Sequence, residues 1–418
     1  WLTSRGIEYR PFYIVNALLI RADRDVVVAL ARRSEIEVIM TNPWVPGIPE
    51  SSPSVASRPE SSRASTGVPW GVLQVRAPEV WWLGYRGEGV VVAGQDTGYD
   101  WQHEALKAQY RGWNGVTADH DYSWHDAIHA DADGCGADAT EPCDDQYHGT
   151  HTMGTIVGDD GADHQIGVAP GAKWIGCRNM VSAGGSWPLG SPASYTECFQ
   201  FFLAPYPVGG DPSQGDPTKA PDVINNSWSC PYYEGCGPDQ IELMRLVVEN
   251  VRAAGIMVVA SAGNSGSSCG TVDEPPAMYD ASTTVGATGS TDSIASFSSR
   301  GTGTELVKPD VVAPGVRVES SVPGDGYLEL QGTSMAAPHV AGVVALIWSA
   351  RPDLRGEITA TEQLLTSTAL HLTSTQCGDA VDAVPNSVYG WGRVDALAAV
   401  LEAKPMPNQR NYMPLIVR

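Results

Sequence analysis

A chain of 418 residues with 42% hydrophobic and 18% charged residues is long enough for two or three domains, and this balance excludes wholesale disorder and collagen-like or coiled-coil composition. Lysine and arginine number 26 against 48 acidic residues, a formal charge of −22, which is the wrong sign for a nucleic-acid binder and poor for an anionic membrane. No run reaches the roughly 20 consecutive apolar residues of a membrane span. The sequence begins at Trp1 without a signal-peptide pattern and is read as a fragment or processed form.

In chain order, residues 1–45 read as a small N-terminal unit: a strand over 12–20, a helix over 24–33 and an alternating strand over 35–40. Residues 46–69 are rich in proline and serine without periodicity, an exposed linker of the kind proteases nick. Residues 70–402 form the main domain, and 403–418 a tail to which no structure is assigned. Within the main domain, apolar runs at 89–95, 223–226 and 256–262 do not alternate, and a helical stretch at 239–254 lies between two of them. Such runs predict an α/β fold with a parallel sheet buried on both faces, whose ligands bind at the carboxyl ends of the strands.

Eight cysteines, with close pairs at 135/143 and 230/236, predict disulfides and an oxidising compartment. The best pairings are Cys135–Cys143 and Cys230–Cys236; Cys177, Cys198, Cys269 and Cys377 could connect in several ways. A zinc site is the rival, but no Cys-x-x-Cys occurs.

Four residues sit where those strands and helices end. Ser334, in Gly-Thr-Ser-Met-Ala-Ala-Pro-His, opens a small-residue helix whose positive end favours developing negative charge, although a serine there is commonly only a cap. His148, in His-Gly-Thr-His, supplies a base; His151, three residues on, reads as a packed core histidine. A zinc pair would need histidines at i, i+4 with an acid between them. Asp96, in Asp-Thr-Gly, follows a buried strand and needs several donors to stay charged. One such motif alone excludes an aspartic protease, which needs two matched carboxylates. Asn264, in Ser-Ala-Gly-Asn, follows another strand and offers an amide donor, or serves only as a turn asparagine.

Taken in order, these motifs resemble the subtilisin family of serine proteases, and Ile-Asn-Asn-Ser-Trp at 224–228 and Gly-Val-Ala-Pro at 167–170 match further family segments. The likeness spans roughly residues 85–402; the segment 173–180 and the linker's position bring it nearest to secreted bacterial members of the bacillopeptidase F type. The order Asp…His…Ser separates it from chymotrypsin-like and α/β-hydrolase enzymes.

The resemblance implies a three-layer α/β fold with a mainly parallel sheet flanked by helices. It implies a triad of Asp96, His148 and Ser334, with Asn264 and the Ser334 N–H as the oxyanion hole. Ser227, Trp228, Ser229, Ala262, Gly263 and Thr333 would hold the substrate backbone. Asp273 and Glu274 are candidates for the floor of a pocket favouring a basic side chain, with a surface turn as the bland reading. Trp228 and Cys230 depart from the usual small residues and would add bulk beside that pocket.

Residues 1–45 resemble the second half of an inhibitory, ferredoxin-like propeptide, cut off at Trp1; the rival is an unrelated small domain. No cofactor is needed for the chemistry. A structural calcium ion is possible in the loop 158–165, although Ala105 replaces a usual aspartate, or in the acidic loop holding Asp131, Asp133, Asp138, Asp144 and Asp145. The expected protein is secreted and monomeric, takes protein or peptide substrates and its own propeptide, and processes itself. The alternatives are a catalytically silent protein-binding scaffold on the same fold and a metal-dependent hydrolase built on His148 and His151.

Overall fold

A computed structural model describes residues 1–47, 67–129, 134–162, 164–182 and 188–403. The N-terminal elements are β1 (Tyr9–Phe12), β2 (Ala17–Ile20), α1 (Arg24–Leu30) and β3 (Val45–Pro46). The main domain follows with α2 (Trp70–Gln74), α3 (Ala77–Trp82), β4 (Val91–Asp96), β5 (Trp124–Asp126), α4 (His148–Val157), β6 (Lys173–Arg178), β7 (Met180–Ser182), β8 (Pro188–Gly190) and α5 (Pro192–Leu203). Then come β9 (Val223–Asn226), α6 (Pro238–Ala253), β10 (Met257–Ser261), β11 (Thr283–Thr288), β12 (Val311–Pro314), β13 (Val318–Val322), β14 (Gly326–Leu330), α7 (Thr333–Ala350), α8 (Ile358–Ser367) and α9 (Ala396–Ala403).

Seven strands form one parallel sheet in the order β12-β11-β10-β9-β4-β6-β5. Side chains alternate between its faces: Val92, Val223 and Val259 join one core, with α4 and α7, while Ala93, Ile224 and Val258 join the other, with α5 and α6. Both faces are apolar, so the strands read as continuous hydrophobic runs rather than alternating ones. After β4 the chain goes to the edge strand β5, returns as β6 beside β4, and then crosses to the other side of β4 for β9 to β12, so the carboxyl end of β4 is the switch point where such sheets open a crevice.

Two expectations for the N-terminal unit need correction. Residues 12–20 are not one strand; Asn16, at φ 52°, turns the chain between β1 and β2, which pair antiparallel. Residues 35–40 form no strand, and Val38 and Ile39 stay exposed because no neighbouring edge pairs with them among the described residues. The hairpin instead docks on α5 and α6: Gln200 Nε2 donates to Pro11 O, and Asn250 Nδ2 donates to Ile14 O at 2.7 Å. Most of the expected linker, Asp131, Asp133 and the tail beyond Ala403 lie outside the described residues.

Candidate active site

Asp96 ends β4 and is 1% exposed. Its Oδ1 accepts from Thr97 N at 2.7 Å and from His148 Nδ1 at 2.8 Å. A carboxylate only accepts, so the proton of His148 sits on Nδ1 and Nε2 is left as a bare acceptor. Nε2 has no protein partner among the described residues.

A second carboxylate braces the segments that carry these two residues. Asp144 accepts from Thr97 Oγ1 and the backbone of Gln146 and Tyr147 through Oδ1, and from Thr150 N and Thr150 Oγ1 through Oδ2. The end of β4 is thereby bound to the first turn of α4. Burial raises its pKa, partly offset by the Thr150 hydroxyl and the backbone donors. Gly98 is required at this junction: its φ is 118°, and a Cβ there would strike the Cys143 carbonyl.

Ser334 lies in the first turn of α7, an 18-residue helix whose N-terminal amides have no intrahelical acceptor. Its hydroxyl donates to Ser227 O at 3.2 Å, and Ser227 Oγ donates to Ser334 O at 2.9 Å. Asn264 follows β10. Its Oδ1 accepts from Thr333 N at 2.9 Å and Thr333 Oγ1 at 3.0 Å, which fixes the amide orientation and leaves the Nδ2 donors uncommitted among the described residues. Four groups thus stand at strand ends or helix starts: a carboxylate, an imidazole with a bare nitrogen, a hydroxyl at a positive helix end and an amide donor.

A strand already lies beside them. Val45 and Pro46 pair antiparallel with Gly190 and Leu189, Gly47 N donates to Pro188 O at 3.1 Å, and Ser229 N donates to Gly47 O at 2.7 Å. Residues 45–47 therefore run between β8 and the segment Ser227–Ser229 as an added strand. Of the remaining expected contacts, Ala262 N is committed to Val285 O and Gly263 N to Thr333 Oγ1.

Trp228 does not crowd this cleft. Its indole is 1% exposed and stacks on Tyr195 at 3.9 Å, because α5 presents an aromatic face to it. Asp273 is exposed and Glu274 half-buried, in the loop whose Pro275 carbonyl accepts from Cys230 N. His151 is a core group: its Nε2 meets Val318 O and Leu328 O at 3.1 and 3.0 Å, and burial pulls its pKa down to about 3. Four disulfides join Cys135–Cys143, Cys177–Cys198, Cys230–Cys236 and Cys269–Cys377.

In the acidic loop around 131–145, Asp144 and Asp145 are half-buried while Asp138 stays exposed. Asp138 holds His129, Asp144 the site just described, and Asp145 lies near Arg178 and accepts from Cys135 N. The other two carboxylates of that loop, Asp131 and Asp133, lie outside the described residues. Beside the loop 158–165, Glu104, Asp160 and His164 bring their ligand atoms within 4.8 Å of one another. Asp160 Oδ2 is held by His164 Nδ1 at 2.7 Å and its Oδ1 by two backbone amides. An imidazole and two partly committed carboxylates do not match the six to eight oxygens that calcium takes.

Residues missed from sequence include Asp144 and Glu197. The first carried a signal, an acid four residues before His148. The second did too, as the single charge in the apolar helix α5.

A family model described as the subtilase family matches residues 87–392. Over 404 residues the chain is 38% identical to bacillopeptidase F of Bacillus subtilis (strain 168), an alignment covering 94% of this chain and 26% of that protein. It is 34% identical over 308 residues to subtilisin E of the same organism, covering 72% of the chain and 67% of the relative. To subtilisin of Bacillus pumilus it is 32% identical over 337 residues, covering 79% and 98% respectively. The chain thus spans about a quarter of the length of bacillopeptidase F.

Proposed function

The chain belongs to the subtilase family, and on that premise we propose that it is a secreted serine endopeptidase. Ser334 Oγ attacks the scissile carbonyl while His148 Nε2 takes its proton. The C–N bond then breaks as His148 returns that proton to the leaving amine, which leaves an acyl-enzyme. Water repeats the cycle, releasing the acid and restoring Ser334. Asp96 holds the Nδ1–H tautomer and stabilises the imidazolium, and Asn264 Nδ2 with the Ser334 N–H binds the oxyanion.

The observation that carries this reading is the 2.8 Å contact of His148 Nδ1 with Asp96 Oδ1, which leaves Nε2 free to act as a base. Substrate would add as a strand between β8 and Ser227–Ser229, the position that residues 45–47 occupy here. We read residues 1–45 accordingly as belonging to an inhibitory propeptide. Cleavage in the following segment by Ser334 would clear the cleft. The four disulfides fit an oxidising, extracellular setting.

The test is an intact-mass time course of the wild type beside Ser334→Ala, with fluorophosphonate labelling of both. Shortening and labelling at Ser334 in the wild type alone are expected. A wild type that stays whole and fails to label would leave a silent binding scaffold as the better description.

A further inference from the structure

The strand β1 meets the main domain at one buried carboxylate. The side chain of Glu197 is 5% exposed, and Arg10 Nη1 reaches its Oε2 at 2.5 Å. The other oxygen, Oε1, is shared by His125 Nε2 at 2.9 Å and His129 Nε2 at 3.0 Å. Tyr206 Oη stands 3.2 Å from His125 Nε2, and Asp138 Oδ1 is 2.5 Å from His129 Nδ1. Beside the cluster opens a cavity of about 510 Å³ lined by Tyr9, Arg10, His125, His129, Glu197 and Tyr206. None of these groups has a part in the acyl-transfer chemistry above.

We propose that Glu197, His125, His129 and Tyr206 form a guanidinium-binding site, filled here by Arg10 and open to an alkylguanidinium or another arginine side chain once Arg10 is gone. A carboxylate this buried needs a cationic partner, and a weakly hydrated planar cation loses less on entering a cavity walled by rings than a compact ammonium does. The site is also linked to protons. A proton on His129 places a positive charge 3.0 Å from Oε1, so protons and the guanidinium compete for one carboxylate. The titratable and charged groups around it are Arg10 and Tyr13 from the N-terminal unit, His125, His129, Asp138, Tyr206 and Asp211 from the main domain, and Asp126, which is already committed to Arg178. Burial lowers the pKa of His129, but its hydrogen bond and charge contact with Glu197 outweigh that and hold it above the ordinary value, while the charge of Arg10 pulls it down. Mild acid therefore loosens Arg10. The chemistry stands alone; its use as a proton-sensitive hold on residues 1–45 rests on reading that segment as a propeptide.

The experiment is calorimetric titration of full-length Arg10→Ala with methylguanidinium. Saturable binding is expected at about pH 8, weakening about tenfold or more by about pH 5.5 as His129 charges. Methylammonium should bind at least about tenfold more weakly, and wild type and Arg10→Ala/Glu197→Gln should not bind. Absence of binding to Arg10→Ala, binding that survives Glu197→Gln, or equal binding of methylammonium would overturn the proposal. If Arg10→Ala does not fold, hydrogen exchange of the wild type over residues 9–20 decides: loss of protection between about pH 8 and 5.5 supports the site, and unchanged protection refutes it. Fluorophosphonate labelling of the same samples separates the two readings. Protein that labels without binding methylguanidinium sinks only this proposal, and protein that binds without labelling sinks only the peptidase.

Discussion

The hydroxyl of Ser334 donates to the carbonyl of Ser227 at 3.2 Å, and the hydroxyl of Ser227 returns a bond of 2.9 Å to the carbonyl of Ser334. This reciprocal pair ties the end of β9 to the first turn of α7 and fixes where the Ser334 backbone sits. Ser227→Ala removes one of the two bonds, worth about 1 kcal/mol, so fluorophosphonate labelling should slow by roughly fivefold without loss of the fold.

Asn264 should matter far more. Its Oδ1 is pinned by Thr333, so only its Nδ2 can serve an oxyanion. Asn264→Ala should lower kcat by roughly a hundred- to a thousandfold with little change in KM, a magnitude borrowed from the equivalent asparagine of subtilisin. Thr333→Val, which loses one of the two pinning bonds, should show a smaller loss in kcat of the same kind. Steady-state kinetics on a peptide substrate separate these outcomes from a general loss of folded protein.

Acid lability should arise in part from two buried histidines. Burial holds His151 near about 3 and His339 near about 4, against an ordinary value of 6.5. A base with a depressed folded pKa binds fewer protons folded than unfolded, so stability is complete above the unfolded value and lost as pH falls through the window down to the folded one. Urea midpoints should therefore drop between about pH 6.5 and 4. His151→Gln, whose amide can still donate to Val318 O or Leu328 O, should flatten that slope; an unchanged slope would place the lability elsewhere.

The added strand at residues 45–47 makes a sharp steric prediction. A Cβ on Gly47 would collide with Met180 Sδ and come within 2.8 Å of Tyr195 Oη. Gly47→Val should weaken the seating of the strand, and Ser334 should label several-fold faster than in wild type before any processing. Equal labelling rates would mean that residues 45–47 do not cover the nucleophile.

Cys269–Cys377 closes a loop of 108 residues and anchors the segment after Asn264 to the C-terminal part of the domain. Replacing both cysteines by alanine should lower stability by about 2–5 kcal/mol, read from denaturant unfolding. Because Cys269 lies in the segment that follows Asn264, labelling of Ser334 should fall along with stability.

Much was legible in the sequence where the physics is local. Uninterrupted apolar runs at 89–95, 223–226 and 256–262 identified strands of a two-sided parallel sheet, since β4, β9 and β10 each send alternate residues into both cores. The small residues around Ser334 and His148 marked helix starts, where a side chain meets both a strand end and free backbone donors. The N-terminal unit was read less well: a turn at Asn16 carries no strong signal, and the alternation over 35–40 means a strand only if an edge stands ready to pair with it.

The sequence by itself determined which residue types were present for acyl transfer and the order in which they come. Motif spacing along the chain is enough for that, because each candidate sits at a strand end or helix start. Only the tertiary structure decided the partners that depend on distant segments meeting. Asp144 binds Thr97 to Thr150, Trp228 sinks against Tyr195, residues 45–47 lie between β8 and Ser229, and Glu197 gathers Arg10, His125 and His129. Such contacts join residues tens to nearly two hundred positions apart. Nothing in local propensity or periodicity encodes them; they follow from which faces the packed sheet and helices bring together.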